Sequence, residues 1–543
     1  MLIREYYDEF PPQNTLKELV YSGAERGGHT RQFIWEDENE NQHERTFLEV
    51  YEDENKLGAF LQLHGIGKNS KVSILSENSY EWHIIFYALI VDGCVIVPSD
   101  PQLAAGELAA QYAECGCEAV FYSEANAEKV EIIKNTPGVV VKQWFPIKDF
   151  WEYLDVGANA DEKYLRAYHD VPVSPEELAC ICYTSGTTGK TKGVMLTHKS
   201  IMTDLNASCH ALIGENGIGF LPLNHTYAWA SGLFASLVRV KWGYICTNLR
   251  HVYNDIKKYK PYQFAAVPLI VEMIYDSIIS KAKRNGSYDK LMKGIETSRN
   301  FMLSGIDMRR DMFSEIHESL GGNLHYIICS GAYLNPEIEE FMHDIGIPIM
   351  TGYGLTECSP CVAITRMYNY RMGSVGLPIE CNEVKVHDPD ENGVGELYVK
   401  GTNLMAGYYN DPVSTAEAFD GEWLKTGDYG YIDKDGYIFF TGRKKNLIIL
   451  ANGKNVSPEE IEIHLQSIEY VKEVICYGDN GRIVGEFFLN EEEYPDAKER
   501  LKDDVAEVNK TLAEYKRVAI IRTRDEEFPK TTSMKIIRNK NQK

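Results

Sequence analysis

The sequence lacks any apolar run long enough to cross a lipid bilayer. Its longest apolar run extends from Ile84 to Val91, whereas a membrane-spanning helix requires about 18 or more apolar residues. The N-terminal residues MLIREYYDEF carry charges where a secretory signal would have its apolar core. We therefore expect no transmembrane segment and a cytoplasmic location, with peripheral membrane contact left open.

Basic residues are scarce relative to acidic residues. Lysine and arginine total 56, against 80 aspartate and glutamate residues, which gives a net charge of −24. Nucleic-acid binding depends largely on the neutralisation of phosphates by lysine and arginine. This charge balance therefore argues against a nucleic-acid partner.

The cysteines do not have the spacing of a disulfide framework or of a zinc site. Twelve cysteines are spread over 543 residues, and among the close pairs only Cys358 and Cys361 have CxxC spacing. A structural zinc site usually requires two such pairs or histidines at fixed spacing. We expect the cysteines to be small buried apolar side chains.

Strands and helices alternate along most of the chain. Strands are predicted at Lys71–Ser76 and Cys94–Val97, and helices after the N-cap Ser79 and over Glu107–Cys115. Alternation of this kind predicts an α/β fold in which parallel sheets are covered by helices. The hydrophobic fraction of 44% and the charged fraction of 25% are typical of a globular protein.

The last hundred residues have the pattern of a separate, small α+β domain. Ser457-Pro458-Glu459-Glu460 is a helix start with serine as the N-cap and proline at the first helical position. Strands follow at Val471–Tyr477 and Ile483–Leu489, and a polar helix over 496–515. A polar run at 442–446 precedes this unit and is a candidate hinge. We therefore predict a large domain over residues 1–442 and a small, mobile domain over 443–543.

A glycine-rich loop has the composition of a phosphate-binding site. A predicted buried strand, Leu178–Tyr183, runs into the sequence TSGTTGKTKG at 184–193. Glycines allow the backbone to approach an anion closely, hydroxyl groups donate to phosphate oxygens, and Lys190 and Lys192 supply positive charge. The loop is therefore predicted to bind phosphate groups.

A Walker A loop is the first alternative for this segment. That pattern requires G-x-x-x-x-G-K-[ST], and Gly189-Lys190-Thr191 matches its end, but Thr184 stands where the first glycine is required. A P-loop phosphotransferase, or a nucleotide-binding module without catalysis, is kept as the alternative. It predicts consumption of ATP to ADP, or no consumption.

Six segments in fixed order resemble the signature motifs of the adenylate-forming enzyme superfamily, which includes acyl-CoA synthetases, peptide-synthetase adenylation domains and luciferases. They are, in chain order, Tyr183–Gly193, Tyr353–Glu357, Thr426–Asp428, Gly442–Asn446, Ala451–Asn455 and Pro529–Lys535. Within the superfamily, Asp307–Ile328 and His225–Trp229 are most similar to the long-chain fatty acyl-CoA synthetases.

The resemblance implies a two-step reaction that uses ATP, Mg²⁺ and coenzyme A. The carboxylate of a fatty or other hydrophobic acid attacks the α-phosphorus of ATP, which releases pyrophosphate and forms an acyl-adenylate. The thiol of coenzyme A then attacks the acyl carbon and expels AMP. Transfer to the phosphopantetheine arm of a carrier protein is the alternative second step, because the two thiols are identical in chemistry.

Residue roles follow from the resemblance, motif by motif. It implies Lys535, His225 and Glu357 as catalytic residues and Thr184 and Glu357 as magnesium ligands. The residues that it implies for binding the nucleotide and coenzyme A are Thr184, Ser185, Gly186, Thr187, Thr188, Gly189, Lys192, Gly331, Ala332, Tyr353, Gly354, Thr356, Asp428, Arg443, Lys445 and Gly453.

Within that set, the resemblance also implies individual tasks. Lys535 assists adenylation, Lys445 is the point about which the small domain rotates, and Gly453 lies along the pantetheine channel. Lys535 is preferred to Lys530 because its spacing from Pro529 fits the motif, although Met534 stands where the family usually has glycine.

The segment His225–Trp229 leaves two roles open for its tryptophan. In the long-chain branch a histidine at this place lies at the acyl pocket, and a nearby aromatic residue gates the pocket. Trp229 therefore either gates the acyl pocket or packs in the core.

Overall fold

The chain forms two compact units, each described here by itself. The computed structural model describes residues 13–37, 39–185, 191–209, 216–246, 251–367, 370–450, 455–479, 481–531 and 536–538, without the side chains of residues 185, 230 and 455. The first unit extends to Glu383 and includes Lys400–Glu422, and the second contains Val384–Val399 and the chain from Trp423 onward. The domain boundary between residues 442 and 443 stays a prediction.

Helices and strands alternate through the first unit and recur in the second. The strands are β1 (Arg31–Glu36), β2 (Gln42–Thr46), β3 (Lys71–Leu75), β4 (Val95–Pro98), β5 (Ala119–Tyr122), β6 (Gln143–Pro146), β7 (Leu178–Ser185), β8 (Thr191–Thr197), β9 (Asn216–Gly219), β10 (Trp242–Ile245), β11 (Gln263–Ala266), β12 (Tyr326–Cys329), β13 (Ile349–Gly354), β14 (Cys361–Ile364), β15 (Leu377–Pro378), β16 (Asn382–His387), β17 (Gly395–Gly401), β18 (Gly407–Tyr408), β19 (Phe419–Asp420), β20 (Trp423–Ile432), β21 (Ile438–Arg443), β22 (Ile448–Ile449), β23 (Asn455–Val456), β24 (Val471–Asp479), β25 (Arg482–Leu489) and β26 (Ile520–Arg524).

The α-helices differ widely in length. They are α1 (Leu16–Gly27), α2 (Phe47–Leu63), α3 (Tyr80–Val91), α4 (Ala105–Cys115), α5 (Ala127–Lys134), α6 (Phe150–Ala158), α7 (Glu162–Asp170), α8 (His198–Ser208), α9 (Thr226–Ala228), α10 (Phe234–Arg239), α11 (Val252–Tyr259), α12 (Pro268–Arg284), α13 (Tyr288–Leu303), α14 (Arg309–Met312), α15 (Ser314–Ser319), α16 (Pro336–Asp344), α17 (Pro412–Ala418), α18 (Pro458–Gln466) and α19 (Ala497–Thr511).

Two large sheets organise the first unit. One has the strand order β18-β8-β7-β4-β3-β5-β6, and the other the order β15-β14-β13-β12-β11-β9-β10-β1-β2. Pairing is parallel from β7 to β6 in the first sheet and from β13 to β1 in the second, with antiparallel strands at the edges. The predicted α/β fold is therefore confirmed.

The longest apolar run of the sequence forms a core helix, α3. Its N-terminus is capped by Ser79, whose Oγ accepts a hydrogen bond from the backbone N–H of Trp82 at 3.2 Å. Every residue of α3 except Glu81 is buried, as expected for a helix enclosed on all sides. Within the described residues, no helix has both the length and the apolarity needed to cross a membrane.

The second unit contains its own hydrophobic core. Strands β24 and β25 pair antiparallel, β26 adds in parallel to β25, and α18 and α19 contribute Ile461, Leu465, Leu501 and Val505 to a core centred on Phe487. The mixture of helices with a mostly antiparallel sheet confirms the predicted α+β character.

One detail of the helix start at residue 457 differs from the prediction. Ser457 occupies the N-cap position of α18, but its side chain makes no capping hydrogen bond. Its Oγ instead donates to the carbonyl oxygen of Thr441 at 2.6 Å and lies 2.9 Å from Glu459 Oε2. The hydroxyl therefore joins β21 to the start of α18.

The cysteines are mostly in the core, as expected. Ten of the twelve are buried, and the other two, Cys361 and Cys381, are half-buried. They contribute small apolar volume to the interior.

Candidate active site

The glycine-rich loop joins two strands of a β-hairpin. Strands β7 and β8 pair antiparallel, with Thr184 opposite Lys192. Residues 186–190, which include the predicted phosphate ligands Gly186, Thr187, Thr188 and Gly189, lie outside the described residues, as does the side chain of Ser185.

This hairpin argues against the Walker A alternative. In a P-loop the glycine-rich segment leads from a strand directly into a helix, whose N-terminus faces the phosphates. Here the loop leads into β8, and the next helix, α8, begins only at His198. The pairing of β7 with β8 therefore does not support the P-loop alternative.

The second signature motif forms a tight turn that presents Glu357. Strand β13 ends at Gly354, a 3₁₀ turn covers Thr356–Cys358, and a cis peptide bond joins Ser359 to Pro360. A Cβ atom at Gly354 would lie 1.9 Å from the carbonyl oxygen of Pro360. Glycine is therefore required at position 354 for the turn to close.

A buried carboxylate holds the far side of this turn. Asp204, on α8, is fully buried, and its Oδ1 accepts hydrogen bonds from the backbone N–H of Cys361 at 2.8 Å and from Asn403 Nδ2 at 3.2 Å. Asn403 Nδ2 also donates to the carbonyl oxygens of Cys358 and Cys361. Burial raises the pKa of the Asp204 carboxyl well above its usual range.

Tyr408 connects Glu357 to the glycine-rich hairpin. Its hydroxyl donates to Glu357 Oε1 at 3.0 Å, and Lys192 Nζ lies 4.7 Å from the centroid of its ring. The backbone N–H of Met405 donates to the carbonyl oxygen of Glu357 at 2.8 Å. The structure thus brings Glu357 and Lys192 to one tyrosine, and Thr184 is the strand partner of Lys192.

The predicted magnesium ligands have suitable chemistry. Glu357 is half-buried, and its Oε2 has no hydrogen-bond partner among the residues that the structure describes. A carboxylate oxygen together with the hydroxyl of Thr184 gives the oxygen donors that Mg²⁺ prefers. The residues present therefore fit a magnesium ion.

Gly331, Ala332 and Tyr353, which are predicted to bind the nucleotide, lie at the carboxyl ends of two neighbouring strands of the nine-stranded sheet. Strands β12 and β13 are parallel neighbours, with Cys329 opposite Thr351. Gly331 and Ala332 follow β12 and are exposed, while Tyr353 lies near the end of β13. Gly331 has a φ of +95°, a conformation that favours glycine.

In the second unit, Asp428 and Arg443 form a direct pair. They are register partners on β20 and β21, and Arg443 Nε lies 3.1 Å from Asp428 Oδ1. Asp428 is buried, and its backbone N–H donates to Thr426 Oγ1 at 3.0 Å. The two residues predicted to contact the ribose are therefore brought together by strand pairing.

A buried glutamate beside this pair has no counterpart in the sequence predictions. Glu396, on β17, accepts a hydrogen bond from the backbone N–H of Gly427 at 3.2 Å and pairs with Lys444 Nζ at 2.6 Å. It thereby links the third motif to the candidate hinge. Tyr408, Asp204 and Asn403 were missed in the same way, because no local pattern connects them with their partners.

The remaining predicted residues of the second unit are only partly described. Lys445 lies in a 3₁₀ turn, Lys444–Asn446, and is exposed. Gly453 and Lys535 lie outside the described residues.

A pocket of about 830 Å³, in part open to solvent, lies in the first unit. Four glycines in its wall leave space that side chains would otherwise fill, Gly217, Gly219, Gly232 and Gly243. Apolar residues such as Phe33, Leu221 and Ile245 line it together with a few polar groups. A lining of apolar side chains with some polar groups is typical of small-molecule sites.

The segment His225–Trp229 contributes to the core next to this pocket. His225 precedes α9, and within the described chain neither it nor Trp229 is among the residues that line the pocket. The indole N–H of Trp229 donates to the carbonyl oxygen of Leu223 at 2.6 Å, and its ring lies 5.3 Å from that of Phe86. These contacts support core packing rather than gating for Trp229.

Two family models match most of the chain, and relatives that it resembles are named as CoA ligases. The model described as AMP-binding enzyme matches residues 22–409, and the model described as AMP-binding enzyme C-terminal domain matches residues 445–543. A long-chain-fatty-acid--CoA ligase, FadD15, of Mycobacterium bovis is 28% identical over 78% of this chain and 73% of its own. Long-chain-fatty-acid--CoA ligase 6 of Mus musculus is 29% identical over 80% of this chain and 68% of its own.

Solved structures show the same fold. A fatty acyl CoA synthetase of Mycobacterium tuberculosis superposes with a TM-score of 0.66 at 23% identity, covering 96% of this chain and 97% of that chain. The o-succinylbenzoate CoA synthetase of Bacillus subtilis superposes with a TM-score of 0.75 at 22% identity, covering 97% and 98%. At these identities the likeness establishes the fold.

The turn that presents Glu357 provides a test of the site. We expect Gly354→Ala to push the turn away from Pro360, with an overpacking cost of about 1–3 kcal/mol. The thermal midpoint should fall, and the affinity for ATP with magnesium, measured by calorimetric titration, should fall by about tenfold or more, since small displacements in a binding site have large effects.

Gly106→Ala is the matched control for this substitution. Gly106 lies in α4, and nothing lies within 4 Å of a Cβ atom at this position. It should keep the wild-type midpoint and ATP affinity. Wild-type ATP affinity in Gly354→Ala would show that the turn does not hold the nucleotide site.

Proposed function

This chain belongs to the AMP-binding enzyme family, and we propose that it is an ATP-dependent acyl-CoA ligase for hydrophobic carboxylic acids of the long-chain fatty class. The observation that carries the proposal is the contact of Tyr408 with both Glu357 and Lys192, which is the strand partner of Thr184. It supplies positive charge, a hydroxyl and a carboxylate at one place, as activation of a carboxylic acid by a nucleotide requires.

The first step joins two anions. An oxygen of the substrate carboxylate forms a bond to the α-phosphorus of ATP, and the bond from that phosphorus to the pyrophosphate oxygen breaks. Lys192 and the hydroxyl groups of the glycine-rich loop stabilise the phosphates by charge and hydrogen bonds. Glu357 and Thr184 would hold Mg²⁺, which when bound neutralises charge on the phosphate oxygens.

Residues for binding the nucleoside are proposed from the signature motifs. We assign the ribose hydroxyls to Asp428, whose carboxylate accepts hydrogen bonds, and to Arg443, which already pairs with it at 3.1 Å. Gly331 and Ala332 leave space for a flat base, and the ring of Tyr353 stacks on it. Gly354 and Thr356 are proposed to contribute to the nucleotide site by shaping the turn before Glu357.

The second step requires a different set of residues. We propose that the small domain rotates about Lys445 once the adenylate has formed, which removes Lys535 and brings Gly453 to the thiol channel. Lys530 supports the assignment of Lys535, because Lys530 Nζ is already engaged by Glu473 at 2.5 Å and Glu527 at 2.8 Å.

A fatty acid is the favoured substrate. Relatives of this chain are named as long-chain-fatty-acid--CoA ligases, and the glycine-walled, largely apolar pocket is proposed to receive the alkyl chain beside α9, where His225 is proposed to lie at the acyl end. The B. subtilis structure is named for o-succinylbenzoate, an aromatic acid, which is therefore the alternative substrate class to compare with fatty acids. Free coenzyme A is the proposed acceptor, while a carrier protein, a cytoplasmic location and peripheral membrane contact stay predictions.

A panel of carboxylic acids tests the reaction and its substrate together. With ATP, magnesium and coenzyme A, we expect acids of long alkyl chain to give AMP, pyrophosphate and a thioester, measured by chromatography. Short-chain acids and o-succinylbenzoate should react more slowly, because they fill less of the pocket. Formation of ADP would refute the adenylation reaction, and a preference for o-succinylbenzoate would refute the fatty-acid assignment alone.

Asp428→Ala tests the ribose assignment. Loss of the acceptor should leave ribose hydroxyls without a partner at a cost of about 1–3 kcal/mol, so we expect the KM for ATP to rise while the fold survives. Asp503→Ala, on the exposed surface of α19, is the matched control and should not change it. An unchanged KM in folded Asp428→Ala protein would assign Asp428 to the turn alone.

Lys535 and Gly453 should each affect one half-reaction. Lys535→Ala should slow adenylate formation by about a hundredfold or more, the scale seen when one preorganised electrostatic group is removed, yet still convert supplied acyl-adenylate to thioester. Gly453→Trp should release pyrophosphate in a single turnover but fail to form thioester, because the indole blocks the thiol channel.

Lys530→Ala is the control for the terminal lysine. It removes two ion pairs from the second unit, those with Glu473 and Glu527, and should lower the thermal midpoint while leaving both half-reactions near wild type. Equal defects of Lys535→Ala in both half-reactions would contradict rotation about Lys445.

A further inference from the structure

Tyr408 makes two separate contacts, one through its hydroxyl and one through its ring. The hydroxyl donates to Glu357 Oε1 at 3.0 Å, and the ring faces Lys192 Nζ at 4.7 Å from its centroid. Phenylalanine could make the ring contact but not the hydrogen bond, so the hydroxyl is the part of this side chain that packing alone does not require.

The backbone fixes the position of this side chain. Tyr408 lies in β18 opposite Val194 of β8, and its backbone N–H donates to Thr415 Oγ1 at 2.8 Å. The preceding Gly407 has a φ of +135°, and a Cβ atom there would lie 2.8 Å from Thr415 Cγ2. The ring is therefore held by a strand pair and by α17 rather than by the groups that it contacts.

We propose that Tyr408 is a positioning residue that sets Glu357 for the metal and Lys192 for the phosphates of one magnesium–ATP complex. The proposal rests on the proposed function and adds to it a residue with no assigned role. By donating to Oε1, the hydroxyl orients the carboxylate so that Oε2, which has no hydrogen-bond partner among the described residues, is left for the metal. The ring face limits the positions open to the Lys192 ammonium group through a cation–π contact.

The two contacts make separable predictions. Tyr408→Phe keeps the ring and removes the hydroxyl, so it should weaken metal binding in the presence of ATP by about ten- to a hundredfold, the scale for loss of a hydrogen-bond partner of a metal ligand. It should leave binding of metal-free ATP unchanged. Tyr408→Leu removes both contacts and should weaken metal-free ATP binding as well, by about two- to fivefold.

The experiment uses the full chain without carboxylic acid, so that ATP is bound but does not react. Binding of Mn²⁺ in the presence of saturating ATP is followed by electron paramagnetic resonance, and binding of ATP in the presence of EDTA by calorimetric titration. Tyr409→Phe is the matched control, because it removes the hydroxyl of the next residue, which lies 3.5 Å from the carbonyl oxygen of Cys115. Thermal midpoints are recorded for all three variants.

The expected pattern is a loss of Mn²⁺ affinity in Tyr408→Phe, a loss of both affinities in Tyr408→Leu, and neither in Tyr409→Phe. Wild-type Mn²⁺ affinity in Tyr408→Phe, or an equal loss in Tyr409→Phe, would overturn the proposal. Failure of the proposed function would be seen separately, as wild-type protein that forms no AMP and pyrophosphate with any acid of the panel.

Discussion

The buried carboxyl of Asp204 is the constraint on which the arrangement of the first unit depends. It accepts from the Cys361 backbone and from Asn403, and Asn403 also holds the carbonyl oxygens on both sides of the cis-proline turn. Burying a carboxyl is costly unless hydrogen bonds compensate it, and the rise in the pKa of Asp204 reflects that burial. The network makes the turn rigid, so Glu357 projects from a fixed base, and Tyr408 orients it from the other side.

In the second unit, strand register fixes the positions of the candidate site residues. Asp428 and Arg443 face each other across β20 and β21, and Glu396 ties the backbone at Gly427 to Lys444. Because Arg443 belongs to a paired strand, its contact with Asp428 does not depend on the chain that follows. The rotation that we propose about Lys445 would therefore leave this contact in place, since Lys445 lies in the 3₁₀ turn that follows the last residue of β21.

The pocket that we propose for the substrate is built from parts of the chain that carry no motif. The glycines that open the pocket belong to β9, to β10 and to the π-helical segment Trp229–Leu233. None of these glycines belongs to a sequence motif. They create space together only because β9, β10 and the segment Trp229–Leu233 all contribute to the wall of one pocket. Trp229 illustrates the same dependence, since its role became distinguishable only through its contacts with Leu223 and Phe86.

The sequence by itself determined the α/β class, the Ser79 helix start, the burial of most cysteines and the order of the signature motifs, because these follow from local periodicity, capping and composition. Only the tertiary structure decided that the glycine-rich loop closes a hairpin, that Ser457 bonds to Thr441 instead of capping α18, and that Tyr408 joins Glu357 to Lys192. The physical reason is sequence distance. Asp204 lies 157 residues from Cys361 and 199 from Asn403, and such contacts form only when a helix packs against chain segments that are distant in sequence, which no local pattern encodes.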